Sequence, residues 1–388
     1  MSVRLDRPFV DDAVWRVAWE PADAIAGELE KIAQSAVSPA SGLSQIVHAL
    51  GKAGLLALVA RARDGGALPE VRSMALCLVR ERLGEASPLA DLGFAMQGLG
   101  SYPITLGADD ALRARWLPRV LTGDVVAAFA LTEPEAGSDL DGIATTARRD
   151  GGDYVLDGHK IFISNAGVAG LYSVFAVTDA SGGKRRLSAF AMPDDAPGLV
   201  VRPMQVLGGH PIGELLMTGV RLPESARIGA EGDGLALALG TLARFRPTVG
   251  AAAVGFGTRA LREAVTHVKT RKQFGKPLAE QQATQLALAD MATDLDAARM
   301  LVYRAALAAD TVTDRGVVAR TGSTAKLFAT EAAFRAVDRA VQLSGGRGVL
   351  ASSVVAQLYD DVRSLRIYEG TSEIQKLLIA REVLRGGV

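Results

Sequence analysis

The period of the apolar residues changes twice along this chain, and any fold must accommodate both changes. Up to about residue 120 the apolar positions recur at mixed threes and fours, as one buried helix face requires. Gly42 to Ala62 shows this with Leu43, Ile46, Val47 and Leu50, then Leu55, Leu56, Leu58 and Val59. Val71 to Leu83 repeats the pattern, and Leu112 to Leu121 predicts a further short helix that Pro118 breaks or kinks. Gly84, Pro88, Gly98, Gly100 and Pro103 read as punctuation among these segments. After Gly123 the runs shorten and turn to β-formers. They are Val125, Val126 and Phe129 to Leu131, then Ile143 to Ala147, Tyr154 to Leu156, Lys160 to Ser164, Tyr172 to Val177, Leu187 to Met192, Leu199 to Val201 and Leu215 to Arg221. Asp150-Gly151-Gly152-Asp153, between two of them, is a hairpin signal. From about 235 helical spacing returns, in Leu235 to Lys269, Ala279 to Asp310, Val317 to Leu343, Val354 to Ile367 and Ser372 to Leu384. Leu288, Met291, Leu295, Ala298, Val302 and Ala305 form the stripe of a bundle seam. The expectation is an α+β chain in three parts: a helical domain over 1–123, a compact β domain, barrel or sandwich, over 124–232, and a helical bundle over 233–388.

Composition removes several classes of function. Lysine plus arginine equals aspartate plus glutamate at 43 each, so the chain offers no basic footprint for nucleic acid and no general attraction to acidic membranes. The one cysteine, Cys77, excludes an internal disulfide and a cysteine metal cage, and its apolar surroundings assign it to the core. The four histidines include no pair at metal-ligand spacing, so no metal site is expected. Apolar runs such as Ala53 to Ala60 fall far short of the roughly 20 residues that span a bilayer. Met1-Ser2-Val3-Arg4-Leu5-Asp6 has no secretory core and Gly386-Gly387-Val388 matches no address, so a cytoplasmic, reducing compartment is expected.

Chemistry concentrates near the end, in Ile367-Tyr368-Glu369-Gly370-Thr371-Ser372-Glu373-Ile374. Thr371 or Ser372 can cap the helix that follows, and Glu373 then falls in its first turn, where the dipole favours negative charge. Glu369 stands before the cap beside Gly370, which lets backbone approach closely. A carboxylate held there is either a base with a tuned pKa or a glutamate on a surface turn. Four other stretches carry readable chemistry. Ala130-Leu131-Thr132-Glu133-Pro134-Glu135-Ala136-Gly137-Ser138-Asp139 leaves a strand and breaks at Pro134 and Gly137. It offers amides and hydroxyls to a polar heterocycle or phosphate, or is an ordinary proline loop. In Lys160-Ile161-Phe162-Ile163-Ser164-Asn165, Phe162 and Ser164 are two apart on a strand and so share a face. There they could cover a flat ring and bond its nitrogen, although Phe162 also fits plain core. Arg271-Lys272-Gln273-Phe274-Gly275-Lys276-Pro277-Leu278, ending at Gln282, supplies a cation for pyrophosphate, an amide and a stacking ring, or a charged linker. Gln342-Leu343-Ser344-Gly345-Gly346-Arg347-Gly348 follows a helix, which fits a C-cap turn. It is no Rossmann fingerprint, since no strand precedes it.

These five stretches, in this order and spacing, resemble the acyl-CoA dehydrogenases, a flavoprotein family, over nearly the whole length. The resemblance implies FAD as cofactor and an acyl-CoA thioester as substrate. By it, cofactor contacts fall on Phe129, Leu131, Thr132, Gly137, Ser138, Phe162, Ser164, Arg271, Gln273, Phe274, Gln282, Gln342, Gly345, Gly346, Thr371 and Glu373, and substrate contacts on Ser138, Arg246, Tyr368 and Gly370. Glu369 becomes the base that removes the α-proton while hydride leaves the β-carbon for the flavin. The family binds the thioester carbonyl with the backbone N–H of that glutamate and a ribityl hydroxyl. The segments around Arg271 and Gly345 reach the FAD of a neighbouring subunit, implying a homo-oligomer, a tetramer or a dimer, with an electron-transfer flavoprotein as acceptor. Related scaffolds act as oxidases or flavin monooxygenases, and a non-enzymatic relative binds nucleic acid. This chain departs from the family in carrying Phe162 and Ser164 where many members have tryptophan and threonine. It also has Ala243-Arg244-Phe245 where an acidic residue is common. Arg246-Pro247 reads as the start of the long bundle helix, where proline is well placed.

Overall fold

The computed structural model of the chain describes residues 9–179 and 186–386; Met1–Asp6 and the final Gly387-Val388, read above, lie outside them. The first part is helical: α1 (Asp12–Ser35), α2 (Pro39–Lys52), α3 (Ser73–Ala86), α4 (Pro88–Gly107) and α5 (Asp110–Leu121). Strands follow: β1 (Ala127–Ala130), β2 (Thr146–Asp150), β3 (Asp153–Ser164), β4 (Leu171–Val177), β5 (Leu187–Pro193), β6 (Leu199–Met204), β7 (Ile212–Pro223) and β8 (Arg227–Ile228). The rest is helical again: α6 (Gly234–Thr270), α7 (Gln282–Thr311), α8 (Arg315–Ser344), α9 (Val354–Ser364) and α10 (Ser372–Leu384). A two-stranded hairpin, β9 (Lys272–Gln273) with β10 (Lys276–Pro277), interrupts between α6 and α7. No helix among the described residues is long and apolar enough to cross a membrane.

The chain clusters into two compact units. One gathers Met1–Gly27, Arg72–Asp91 and Ala243–Val388; the other gathers Glu28–Val71 and Leu92–Leu242. Thus α3 clusters with the C-terminal helices, whereas most of the remaining N-terminal stretch clusters with the strands.

In the sheet-containing unit the strands join in one eight-stranded sheet, β6-β7-β3-β2-β4-β5-β8, with β1 pairing parallel to β4. The expected hairpin forms, β2 and β3 meeting antiparallel with Asp150 opposite Asp153. Every residue of β4 is buried, which explains an apolar run broken only by Ser173, whose hydroxyl donates to the Gly100 carbonyl at 2.6 Å. Its core combines Phe175 and Leu171 with Ile104 of α4, Trp116 and Val120 of α5, and Leu237 of α6. Gln97 of α4 ties helix to sheet: its amide donates to the Val120 and Val125 carbonyls (3.0 and 2.9 Å) and accepts from the Ala127 N–H (2.6 Å).

Two local readings need correction here. Gly84, Gly98, Gly100 and Pro103 do not punctuate, because α3 runs through the first and α4 through the other three. Gly100 is required by packing: a Cβ there would lie 2.6 Å from the Ala128 nitrogen and 2.7 Å from the Ala127 Cβ. The stretch from Gly42 to Ala62 is not one helix either. It ends as α2 at Lys52, and after Gly54 at φ +74 a 3-10 turn buries Leu55, Leu56, Leu58 and Val59.

In the helical unit the alanine-rich faces of α7 and α8 pack on each other, with Met291, Leu295, Ala298, Val302 and Ala305 buried along the expected seam. Cys77 is buried as expected. α3 has no cap of its own; Asp310 of α7 accepts from the Ser73 and Met74 amides (2.7 and 3.1 Å) in its place. Glu81 of α3 reaches the same helix, accepting from Arg299 Nε (2.7 Å) and the Tyr303 hydroxyl (3.0 Å). Pro247 stands inside α6, not in its first turn; the helix begins thirteen residues earlier at Gly234.

Candidate active site

Glu369 occupies the turn between α9 and α10. The Ile367 and Tyr368 amides still bond back to the Ser364 carbonyl (2.9 and 3.1 Å), and the Ser372 amide returns to the Arg366 carbonyl (3.1 Å). Thr371 supplies the cap, its hydroxyl accepting from the Ile374 amide at 3.3 Å, while the Ser372 hydroxyl donates to Glu331 (2.9 Å). Between these anchors the chain takes two left-handed residues in succession, Glu369 at φ +53 and Gly370 at φ +94. The first is strained for any side chain but glycine. The turn's carbonyls point inward. Lys326 Nζ of α8 donates to the Gly370 oxygen at 2.7 Å. Gln375 Nε2 of α10 donates to the same oxygen at 2.9 Å and to the Glu369 oxygen at 3.3 Å.

The Glu369 side chain is half-buried, and its Oε2 is fully buried with no hydrogen-bond partner. Burial raises its pKa above the ordinary glutamate value; Arg80, Lys326 and Arg246 oppose the shift, and Asp91 adds to it. Burial likewise lowers Arg246, whose Nε is buried and unpartnered, and lowers Lys326 to about 8. Beside them Arg80 grips Asp91 with both Nε and Nη2 (2.7 and 2.8 Å) and donates from Nη1 to Thr248 Oγ1 (2.8 Å), all three residues being buried. Burial raises the Tyr368 hydroxyl, with Arg80 pulling the other way.

The sheet-containing unit presents a second constellation. Lys160, wholly buried, donates to the Leu131 carbonyl (3.1 Å) and to Glu133 Oε1 (2.7 Å). Glu133 also accepts from the Ala144 and Thr145 amides (2.7 and 3.0 Å), and the Ile161 amide bonds the Thr132 carbonyl (3.0 Å). The first two motifs are thereby locked side by side. Burial lowers Lys160 to about 8 despite its partner, and Glu133 is held below the ordinary range by Lys160 and the amides against the effect of burial. The strand alternation expected of Phe162 and Ser164 fails. A register shift falls between Lys160 and Ile163, and Phe162 bulges out at φ +57 with 54% of its surface exposed. Gly137 and Ser138 are exposed, and Phe129 packs its ring on Phe175 at 4.9 Å.

Sequence models of three acyl-CoA dehydrogenase domains match the chain in order: the N-terminal domain over residues 20–124, the middle domain over 128–220 and the C-terminal domain over 232–384. The chain is 37% identical over 348 residues to an acyl-CoA dehydrogenase of Bacillus subtilis, spanning 88% of this chain and 90% of that one. It is 37% identical over 362 residues to the cyclohexane-1-carbonyl-CoA dehydrogenase of Geobacter metallireducens, spanning 92% and 94%. Its fold matches glutaryl-CoA dehydrogenase from Mycobacterium smegmatis in complex with FADH2, with a TM-score of 0.86 and 28% identity over 97% of this chain and 96% of that one. The chain belongs to the acyl-CoA dehydrogenase family. Its members are FAD-dependent oxidoreductases acting on a CH–CH bond.

Of the residues that acyl-CoA dehydrogenase likeness singles out, Arg246, Tyr368, Glu369, Gly370, Thr371 and Glu373 stand together at the α9–α10 turn and the groups facing it. Arg271, Gln273, Phe274, Gln282, Gln342, Gly345 and Gly346 lie on the exposed surface of the helical unit, Phe274 at the tip of the β9–β10 hairpin with φ +52 and 93% of its surface free. Arg271 and Arg347 both depress His267, along with burial, which puts the third and fourth motifs near one another. Arg244 is turned to Asp310 (2.9 Å) and the Ala309 carbonyl (3.2 Å). Sequence reasoning passed over Lys326, Gln375, Arg80 and Asp91. Arg80 did leave a signal: it interrupts the apolar run Leu76-Cys77-Leu78-Val79, where a charge demands a buried partner.

Proposed function

We propose that the protein oxidises an acyl-CoA thioester to its trans-2-enoyl-CoA with FAD as cofactor, and that Glu369 is the base that takes the α-proton. The observation behind this is the Glu369 carboxylate itself: an oxygen buried without a partner, on a strained turn fixed at both ends, with its pKa raised by burial. The α-proton of a thioester is a weak acid, and a carboxylate of raised pKa takes it more readily than an ordinary one. A free, ionised oxygen is what such a base needs, and three cations nearby favour the ionised form against the desolvation. Arg246, whose Nε also lacks a partner, faces the same place.

The residues fit FAD. Phe162 and Phe274 each hold an uncovered aromatic face at a strained backbone position, where a flat ring can lie against it. Leu131, Thr132, Ser138 and Ser164 of the sheet-containing unit would hold it, and by the family likeness Arg271, Gln273 and Gln342 of the helical unit would reach the FAD of a neighbouring subunit. When bound, FAD supplies the acceptor for the hydride leaving the β-carbon. Family membership supports two further parts of the proposal, an electron-transfer flavoprotein as acceptor and a homo-oligomeric assembly.

The test is an anaerobic titration of the purified yellow protein with a panel of acyl-CoA thioesters, following the visible flavin band. One thioester class is expected to bleach the wild type. Glu369→Gln is expected to retain the flavin and stay yellow. Bleaching of Glu369→Gln at the wild-type rate refutes the role of Glu369, and a wild type that no thioester bleaches refutes the substrate class.

A further inference from the structure

A buried lysine ordinarily neutralises a carboxylate. Lys326 does not. It is wholly buried on α8, makes no ion pair among the described residues, and spends its hydrogen bond on a peptide oxygen, that of Gly370, at 2.7 Å. We propose that Lys326 is a positioning residue for the base, its ammonium clamping the Glu369–Gly370 turn in the left-handed conformation that aims the Glu369 carboxylate. This rests on the reading of Glu369 as base.

Three observations converge on it. The turn is strained: a non-glycine residue in the left-handed region is unfavourable by roughly 1–2 kcal/mol and persists only where its surroundings over-determine it. The clamp is double, because Gln375 Nε2 meets the same Gly370 oxygen at 2.9 Å from the opposite helix. Gln375 and Lys326 are both fully buried, so neither bond is exchanged for water at the surface. The charge is also in the right place. The groups facing the ammonium are Glu369 on the turn, Arg246 on α6, Glu331 on α8 itself and Glu373 on α10. Of these carboxylates, Glu331 is already bonded to Arg366 (2.9 Å) and Ser372 (2.9 Å), and Glu373 is exposed at the α10 N-terminus. Glu369, whose Oε2 is buried without a hydrogen bond, is the carboxylate left to the lysine, and the lysine favours its ionised form. One residue therefore serves both the geometry and the charge of the base without touching the carboxylate.

The experiment compares wild type, Lys326→Met, Lys326→Gln and Glu369→Gln as FAD-loaded proteins. It reads the pH profile of anaerobic reduction by the best thioester, the half-saturating thioester concentration, and amide hydrogen exchange across residues 366–374. Lys326→Met is expected to slow reduction at least about tenfold at pH 7, a part of the roughly 10²–10⁴-fold that positioned proton transfer supplies. Half-saturation should stay near the wild-type value, the ascending limb of the profile should move to higher pH, and exchange in 366–374 should quicken. Lys326→Gln keeps a donor but not the charge, so it should restore slow exchange while leaving the limb displaced. It also serves if the methionine variant folds poorly. Lys326 variants with wild-type rate, limb and exchange, alongside an inactive Glu369→Gln, overturn the clamp and leave the base intact. An active Glu369→Gln overturns the base itself.

Discussion

Arg80 and Asp91 form the most committed charge pair near the base, and the cost of separating them can be worked out. Arg80→Met keeps an unbranched side chain of comparable length but leaves the Asp91 carboxylate, 2% exposed, with no cation. Removing one partner of a buried pair typically costs about 3–5 kcal/mol. A second route gives a consistent figure. A carboxyl stranded in an apolar site escapes the charge penalty by taking a proton, and between the ordinary value near 3.9 and pH 7 this costs about 1.36 kcal/mol per pH unit, roughly 4 kcal/mol. That route also predicts a pH signature: the loss should shrink to about 1.5 kcal/mol at pH 5, because protonation becomes cheaper. Thr248 adds little, since its hydroxyl still donates to the Phe245 carbonyl at 2.7 Å. Replacing both charges, as Arg80→Met with Asp91→Leu, should recover most of the loss, since a buried pair exchanged for apolar groups is often neutral. The assay is guanidinium unfolding followed by far-ultraviolet circular dichroism at pH 7 and pH 5. A single variant no less stable than the double one, or a loss that does not change with pH, refutes the argument.

Two further outcomes follow from the same reasoning. Because burial raises the Glu369 pKa, the folded protein holds a proton that the unfolded chain has released as pH rises above 4.5, so stability falls through that window. Glu369→Gln should therefore melt higher than wild type at pH 7, with the gap closing near pH 4, as differential scanning calorimetry would show; a variant that melts lower at pH 7 contradicts this. Gly100→Ala drives a Cβ into Ala127 and Ala128 and should destabilise the sheet-containing unit by about 1–3 kcal/mol, read as a lowered denaturation midpoint. An unchanged midpoint would mean that α4 can move away from β1 at no cost.

What could be read from sequence was whatever local pattern determines. α10 was placed from Ser372 to Leu384 because its cap and apolar period are both local, and the β2–β3 hairpin because acidic residues and glycines mark its turn. The failures are all tertiary. Gly100 looked like a break but is a helix residue that a strand approaches. Pro247 looked like a first-turn residue, yet α6 begins far upstream of it. The clustering of α3 with the C-terminal helices depends on bonds such as Arg299 to Glu81, which are 218 residues apart in sequence. Lys326 stayed unnoticed because one lysine among the arginines of a long helix is unremarkable; only its burial and its carbonyl partner set it apart.

The backbone supplies an independent marker that side-chain chemistry could not. Among the described residues, the non-glycine residues at positive φ are Phe9, Phe162, Asn165, Phe274 and Glu369. All but Phe9 fall within the short motifs singled out from sequence. None of these residue types advertises a left-handed conformation except asparagine, so chance offers no reason for the coincidence. Strain of this kind persists where surrounding bonds impose it, and those bonds are present. Asn165 Nδ2 holds the Ala127 carbonyl at 3.0 Å, Lys160 and Ile161 lock the strand before Phe162, and Lys326 with Gln375 locks Glu369. A sequence under pressure for stability alone would place glycine or asparagine at such positions. Phenylalanine and glutamate there mean that the side chain, an aromatic face or a carboxylate, is worth the strain of presenting it.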